Sequence, residues 1–243
     1  MSPARVLRAA VAALALASWP PVASAQRVQP MVFDLAPSGE GATTTLRVEN
    51  TRSAPVTVEI TASAIAVDAA GVETLTPADG DFLIFPPQSI IPPGRTQAFR
   101  VRYVGEPRLE RSRSYRVAVR QVPVQLAQGE SGIVVAVNFQ TLANVVPAGA
   151  EAELAVLSVA PGSEAGTLTV ELENRGTRYA RLTRTTWTFQ EPSGATLTAA
   201  GRDLFAGRGG NLAPPGQRRS VSFRPPEGVT PGATVTVATS PGG

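Results

Sequence analysis

From residue 30 onward, the sequence repeats one local pattern. Short runs rich in Val, Thr, Leu and Ile alternate with clusters of Gly, Pro, Asn and Ser. β-Branched residues favour extended backbone, whereas Gly, Pro and Asn favour turns. Many short runs of this kind, separated by turn signals, are typical of an all-β sandwich. No segment shows a persuasive long helical periodicity, so the fold class is predicted to be all-β.

The predicted strands fall into two groups. The first group spans 31–35, 43–50, 56–64, 82–85, 96–104, 114–122 and 132–144. The second group spans 153–159, 167–173, 180–190, 195–200, 218–223 and 234–238. Seven short strands in roughly 115 residues suit one immunoglobulin-like domain. The sequence therefore predicts two immunoglobulin-like β-sandwich domains in tandem.

Two internal similarities support this division. The segment "LRVENTRSAPVTVEI" at 46–60 is similar to "VELENRGTRYARLTR" at 170–184, since in both a strand ends in Glu-Asn and a turn follows. The segments "IIPPGRTQAFRV" at 90–101 and "LAPPGQRRSVSF" at 212–223 share a Pro-Pro-Gly turn before a strand. Similarity at matched spacing indicates a repeated structural unit.

The predicted boundaries follow from the turn signals between the two groups. "VVPAGAE" interrupts the β pattern, which places an N-terminal domain at 26–147 and a C-terminal domain at 148–243. Residues 1–25 read as a signal peptide: two arginines precede a short apolar run, and Ala23-Ser24-Ala25 forms a cleavage pattern. A membrane anchor is the alternative, but the run is short for a span and Pro20-Pro21 interrupts it. The chain is therefore expected to be exported.

Composition restricts the chemistry that this chain can perform. It has no His and no Cys, and its 22 basic residues are all Arg. Commonly used general bases, thiol nucleophiles and transition-metal ligands are thus missing, and no nucleotide-binding or hydrolase motif is present. The formal net charge is only +3, so the high pI reflects Arg rather than a strongly basic surface. We expect a non-enzymatic protein without metal or cofactor that neither binds nucleic acid nor inserts into a membrane.

The most informative strand is "GIVVAVNFQT", which begins at Gly132. Its odd positions carry the bulkier apolar side chains Ile133, Val135, Val137 and Phe139. Alternate residues of a strand point to opposite faces of a sheet. Two interpretations remain open on alternation alone: the odd face packs inside this domain, or it contacts another protein.

Several motifs, in the same order, resemble the periplasmic chaperones of the chaperone–usher pilus assembly pathway, most closely a divergent, archaic-like branch. The resemblance covers most of 30–147 and is weaker over 150–243. It rests on "TTLRVENTRSAPVTVEI", "FLIFPPQSIIPPGRTQAFRVRYVG", "RSRSYRVAVRQVPV" and "GIVVAVNFQTLANVVP".

The resemblance implies a fold and a mode of action. The two domains would be set at an angle, and the strand at about 132–144 would be donated to an incomplete pilin-type subunit, a form of β-strand addition. Ile133, Val135, Val137 and Phe139 would then face the client. The partners would be pilin-type subunits and an outer-membrane usher in the periplasm. A self-capping dimer is a further expectation, because exposed apolar strand edges tend to associate.

The sequence departs from the family at the basic pair that holds the client's terminal carboxylate. The two positions fall at Pro30 or Met31 and near Leu142, and none of these is basic. Arg27 and Arg120 are candidate substitutes, although neither lies at a matching position. The carboxylate anchor is therefore left unassigned.

Two other functions are alternatives for a β-sandwich chain of this composition. A structural component of a surface appendage would use a β-edge to join its neighbours permanently. A carbohydrate-binding or hydrolytic sandwich would need an aromatic platform or a carboxylate pair, and aromatics form only 5% of the chain. Arg100 and Arg102, which alternate with Val101 and Tyr103, are expected on a solvated strand face, with a role in a cleft as the alternative.

Overall fold

The computed structural model describes residues 26–122, 136–207, 209–230 and 232–239. In the N-terminal part, the strands are β1 Arg27–Gln29, β2 Val32–Leu35, β3 Thr43–Glu49, β4 Val56–Val67, β5 Glu73–Pro77, β6 Phe82–Phe85, β7 Gln88–Ile91, β8 Thr96–Tyr103, β9 Arg113–Gln121 and β10 Asn138–Val145. The C-terminal part holds β11 Leu154–Pro161, β12 Leu168–Asn174, β13 Ala180–Arg181, β14 Thr185–Gln190, β15 Thr196–Ala200, the short helix α1 Gly201–Leu204, β16 Leu212–Ala213, β17 Arg218–Phe223 and β18 Thr234–Thr239. Single 3-10 turns lie at Glu40–Ala42, Asp79–Asp81 and Leu182–Arg184.

The first ten strands form a two-sheet sandwich. One sheet has the order β1-β3-β8-β6, and the other has the order β2-β10-β9-β4-β5 with β7 also paired to β4. The alternating apolar residues of both sheets meet in one core, which includes Leu46, Val58, Phe99, Val117 and Val145. All five side chains are almost fully buried, because period-2 patterning directs one face of each strand inward.

The chain changes sheets at both lateral edges of this sandwich. At one edge, β1 ends the first sheet and β2 ends the second, and only residues 30–31 separate the two strands. At the opposite edge, β6 ends the first sheet and β7 lies in the second, with Pro86-Pro87 between them. The open side of β6 and the β2–β10 side therefore lie at opposite edges of the domain.

The C-terminal strands build a second, separate core. Its sheets are β11-β12-β17 and β15-β14-β18, with the short pair β13-β16 beside them. Trp187 is fully buried and packs edge-on against Phe223 at 5.0 Å between ring centroids. The Gly/Arg-rich segment at 201–211 begins with α1, and its residues Leu204 and Phe205 are buried in the second core.

The prediction of two immunoglobulin-like sandwiches is thus confirmed. All thirteen predicted runs contain strand, although the run at 180–190 is divided into β13, a 3-10 turn and β14. Four short strands were not predicted, namely β1, β5, β7 and β16, because each is too short or too polar to show alternation. Strand β10 ends at Val145 and β11 begins at Leu154, and the boundary at 147 stays a prediction.

Several contacts join the sandwiches. Val67 and Leu142 of the first pack with Tyr179 and Leu212 of the second in a small apolar cluster. Beside it, the β4–β5 turn reaches the second sandwich, where the guanidinium of Arg219 donates hydrogen bonds to three backbone carbonyls.

Candidate functional site

Strand β10 is only partly enclosed in its sheet. It pairs along its whole length with β9, from Asn138 opposite Arg120 to Val145 opposite Arg113. Its other side pairs with β2 only from Leu142 onward. Within the described ranges, no strand covers that side of residues 138–141. A free strand edge exposes backbone donors and acceptors that another chain can pair with.

The hydrogen bonds show which backbone groups face this free edge. The amide of Gln121 donates to the carbonyl of Val137 at 3.3 Å, so Val137 directs its polar groups toward the β9 side. On the other side, the amide of Leu142 donates to the carbonyl of Met31 at 2.9 Å. Because these directions alternate along an antiparallel strand, Asn138 and Gln140 point their backbone N–H and C=O groups outward.

The odd-numbered side chains of β10 lie on the core face of the sheet. Thr141, Ala143 and Val145 are fully buried, and the half-buried Phe139 packs against the same core. Val137 is also half-buried. Ile133 and Val135 lie outside the described residues. At its described end, the predicted client-facing row is therefore continuous with the domain's own core.

The other face of this sheet has two regions. At one end, Leu142 packs against Tyr179 and Leu212 of the second sandwich, and Asn144 donates to Asp34, which also accepts from Tyr179. At the other end, the same face stays open and forms a pocket of about 240 Å³. The pocket is lined by Thr61, Ser63, Leu75, Arg116, Ala118, Arg120, Asn138 and Gln140. It therefore lies beside the cleft between the sandwiches and reaches the free edge of β10.

One of the two guanidinium groups in the pocket is already neutralised. Arg116 binds Glu73 in a bidentate pair, with Nη2–Oε1 at 2.6 Å and Nε–Oε2 at 2.9 Å. Arg120 is exposed and forms no ion pair with any described residue. The pocket thus presents one unpaired positive charge, surrounded by hydroxyl and amide groups that suit a carboxylate.

The structure distinguishes the sequence-based candidates for a basic anchor. Leu142, at one family position, is buried in the apolar cluster between the sandwiches, and Met31 is 45% exposed. Arg27 lies on the other sheet, where it pairs with Glu49 at 3.5 Å. Of the positions considered from the sequence as a basic anchor, only Arg120 lines the pocket. Sequence reasoning missed Arg116, although its even spacing from Arg120 on β9 places both on one face.

A partly buried polar network around Asp34 lies between the two sandwiches. Asp34 accepts hydrogen bonds from the amide of Asn144 at 3.1 Å and from the hydroxyl of Tyr179 at 2.7 Å. It also pairs with Arg178 at 2.5 Å, and Ser114 donates to Asn144 at 2.8 Å. Burial raises the pKa of Tyr179, and its hydrogen bond to Asp34 raises it further. This network links the free-edge strand to the second sandwich and holds their relative position.

The described residues contain no cluster of three or more Asp, Glu, His or Cys side chains that could hold a metal ion. None of the helices in the described ranges is long and apolar enough to cross a membrane.

One protein family model matches most of the N-terminal sandwich. Residues 35–147 match the family described as pili and flagellar-assembly chaperone, PapD N-terminal domain. The matched segment runs from the end of β2 to just beyond β10 and so contains both the free edge and the pocket. No curated protein matches the chain at a significant level.

Solved structures of fimbrial chaperones share the fold over both domains. A chain from the complex of the Salmonella enterica SafA pilin with the SafB chaperone is 17% identical, with a TM-score of 0.55 over 83% of this chain and 85% of that one. The YadV chaperone is 14% identical, with a TM-score of 0.55 over 86% and 90%. A chain from the CsuC–CsuE chaperone–tip adhesion subunit complex of Acinetobacter baumannii is 12% identical, with a TM-score of 0.52 over 82% and 90%.

Proposed function

We propose a function from the premise that this chain belongs, through residues 35–147, to the pili and flagellar-assembly chaperones. The protein is a periplasmic chaperone that binds pilin-type subunits by adding its β10 strand to them and delivers them to an outer-membrane usher. The family consists of assembly chaperones rather than enzymes, in keeping with the composition of this chain. The proposed function requires no cofactor.

The free edge of β10 is the observation that carries the proposal. Asn138 and Gln140 offer outward backbone groups, and the strand is held rigidly on its other side by β9. An incomplete sandwich of a subunit exposes both unpaired backbone and apolar core, which an added strand covers together. The odd row, extended backward from Phe139 through Val137 to Val135 and Ile133, supplies the apolar side chains. Four such side chains contribute roughly 6–12 kcal/mol before the costs of association are subtracted.

Arg120 is the proposed anchor for the subunit's terminal carboxylate. Its support is geometric: it is the unpaired cation of the pocket, and Asn138 and Gln140 of the free-edge strand line the same pocket. Arg116 is committed to Glu73 and would shape the pocket rather than bind the client. This assignment moves the anchor to β9, whereas the family places one basic residue near the end of the long strand.

The first experiment is co-expression of the mature chain in a periplasm with candidate pilin subunits from the same source. The test variant is Val135→Arg with Val137→Arg, which charges the odd row. Its matched control is Val134→Arg with Ala136→Arg, which places the same charges on neighbouring even positions of the same segment, outside the pocket. A soluble 1:1 complex that survives in the control and disappears in the test variant, with both variants folded, supports strand donation.

Other outcomes contradict the proposal in distinct ways. Equal retention of the subunit by both variants places the contact elsewhere on the chaperone. Unfolding of the test variant alone means that the odd row is only core. Permanent filaments of the chain would instead indicate the structural component of a surface appendage. Light scattering of the purified chain separates the monomer from the self-capping dimer.

A further inference from the structure

The outward face of the four-stranded sheet combines unpaired positive charge with exposed apolar side chains. On β8, Arg100 and Arg102 point outward, and on β3 Arg47 does the same. On the edge strand β6, Leu83 is 61% exposed and Phe85 is 72% exposed. We call these five residues the basic face.

The residues of the basic face are direct neighbours across the sheet. Leu83 lies opposite Arg102, and Phe85 lies opposite Arg100. Side chains directly opposite on neighbouring strands approach closely enough to contact one ligand together. The edge of β6 thus presents two adjacent pairs, each with one apolar and one cationic side chain.

No acidic side chain balances these charges. Within the described residues, Arg47, Arg100 and Arg102 form no ion pair, and the face's one carboxylate, that of Glu49, is paired with Arg27. Like charges that lie two residues apart on a strand repel one another. A negatively charged ligand would relieve this repulsion, which makes the face complementary to acidic groups.

The unpaired backbone edge of β6 is a second feature of this surface. β6 is the last strand of its sheet, and no described strand pairs with its outer side. Natural sheets usually protect such an edge with charge or proline rather than with exposed Leu and Phe. Here Pro86 limits the length of the edge, but the two large apolar side chains remain in water.

We propose that the basic face is a second docking surface, for an extended acidic polypeptide whose side chains alternate between carboxylate and apolar. Such a segment would pair with the edge of β6, place its carboxylates near Arg100 and Arg102, and pack its apolar side chains on Leu83 and Phe85. A lipid surface or a nucleic acid would satisfy the charges but would leave the β6 backbone unpaired. An extended polypeptide uses all three features.

The position of β6 allows both edges to be occupied at once. Its open side and the β2–β10 side lie at opposite edges of the sandwich and in different sheets. The acidic segment is therefore expected to bind whether or not β10 is charged or engaged. This inference does not require that β10 donates a strand.

The test measures binding of the mature full chain to three fluorescent nine-residue synthetic peptides by polarisation. One alternates Asp with Leu, one alternates Lys with Leu, and one is the acidic peptide with its alternate amides N-methylated. We expect the acidic peptide to bind, and the other two to bind at least about tenfold more weakly. Binding should weaken as salt rises, because the charges are exposed.

Three variants locate the site. Arg100→Gln with Arg102→Gln should weaken binding of the acidic peptide roughly three- to tenfold, as expected for two exposed charge pairs. Arg108→Gln with Arg224→Gln removes the same charge from exposed arginines elsewhere and should leave binding unchanged. Phe85→Ser should weaken binding roughly tenfold without changing the melting temperature, since Phe85 is largely exposed.

The proposal is overturned if the Lys peptide or the N-methylated peptide binds as tightly as the acidic one. Loss of binding in the Val135→Arg, Val137→Arg variant would place the peptide on β10 and overturn it too. Vesicles of phosphatidylglycerol and a single-stranded oligonucleotide serve as competitors. Displacement of the acidic peptide by either, with no effect of Phe85→Ser, would make the face a general anion surface and contradict the proposal.

Discussion

At the residue scale, one asparagine in each sandwich performs the same task. The side-chain amide of Asn50 donates to the carbonyl four residues later at 2.8 Å and to that of Ile91 at 2.9 Å. Asn174 repeats both contacts, at 2.8 Å to the carbonyl four residues later and at 2.9 Å to Ala213. Both side chains are fully buried. The repeated Glu-Asn and Pro-Pro-Gly motifs therefore encode a structural clasp that ties one turn to another.

Replacing either asparagine should destabilise the protein substantially. Asn174→Ala and Asn50→Ala each leave two carbonyls without their donor, and each should lower the free energy of unfolding by about 1–3 kcal/mol. Urea unfolding followed by circular dichroism measures this loss. Asn138→Ala, at an exposed position, is the control and should change stability by no more than about 0.5 kcal/mol. Equal stability of all three variants would contradict the clasp.

Two buried tyrosines predict a loss of stability at alkaline pH. Burial is the main cause that raises the pKa of Tyr115, and its hydrogen bond to Asp81 raises it further. For Tyr179, burial is again the main cause of the raised pKa, and the hydrogen bond to Asp34 adds to it. Because the pKa of each tyrosine is higher in the folded than in the unfolded protein, its contribution to the free energy of unfolding is fully present below pH about 10. That contribution is lost as the pH rises above this value.

Each of the two tyrosines should lower the free energy of unfolding by up to about 1.4 kcal/mol per pH unit above pH about 10. Urea unfolding at pH 9, 10 and 11 gives the slope. Tyr179→Phe should reduce the slope, because phenylalanine cannot ionise. The idea fails if the wild type and Tyr179→Phe lose stability equally over this range.

At the element scale, the direction of each backbone group on β10 decides what the strand can do. Odd residues bond inward to β9, and the even residues Asn138 and Gln140 face the free edge. Proline removes a backbone donor and is tolerated where the N–H of an edge strand faces away from its neighbour. A proline scan of two adjacent residues can therefore separate folding from client binding.

Gln140→Pro should keep the fold but abolish the complex with pilin subunits, because it removes an outward donor and inserts a ring at the free edge. Phe139→Pro should destabilise the domain by about 1–3 kcal/mol, since it removes a backbone hydrogen bond to β9 and disturbs core packing. Thermal melts and pull-down of a co-expressed subunit read the two effects. A folded Gln140→Pro variant that still retains the subunit would exclude pairing at this edge.

At the scale of the whole molecule, Arg219 joins the two sandwiches. It is 2% exposed, and its guanidinium donates to Ala69 of the β4–β5 turn at 3.4 Å, to Gly210 at 2.6 Å and to Leu212. Burial lowers its pKa, and Asp68 and Glu73 oppose the shift. A side chain added to Gly71 would come within 2.2 Å of the Arg219 guanidinium, so the turn fits only with glycine there.

Arg219→Met should weaken the coupling between the sandwiches without unfolding either one. The substitution leaves buried carbonyls unpaired, each of which costs about 1–3 kcal/mol. We expect calorimetry to show one unfolding transition for the wild type and two for the variant. Arg218→Met is the matched control: Arg218 is 73% exposed and 4.0 Å from Glu173, and its loss should leave one transition. Two transitions already in the wild type would contradict a lock at Arg219.

Much of the fold could be read from the sequence because its information is local. The alternation in 96–104 and 218–223 gave strands within one residue of the observed bounds. Short strands such as β1 and β5 could not be read, since their partners β3 and β4, rather than their own residues, make them strands. The pocket could not be predicted either. Its residues Glu73, Arg116, Arg120 and Gln140 are distant in the sequence and come together only because β5, β4, β9 and β10 pair in one sheet.

The sequence alone determined the all-β class, the two sandwiches and the apolar pattern of odd positions from Ile133 to Phe139, because period-2 patterning and turn residues act over a few neighbouring positions. Within the described residues, the tertiary structure decided that the edges of β10 and β6 stay free and that, of the two arginines in the pocket, Arg120 is the one without an ion pair. Those properties depend on residues far apart in the chain: Met31 beside Leu142, Glu73 on Arg116, and Ala69 on Arg219. Pairing over such distances depends on topology, which local patterns do not encode.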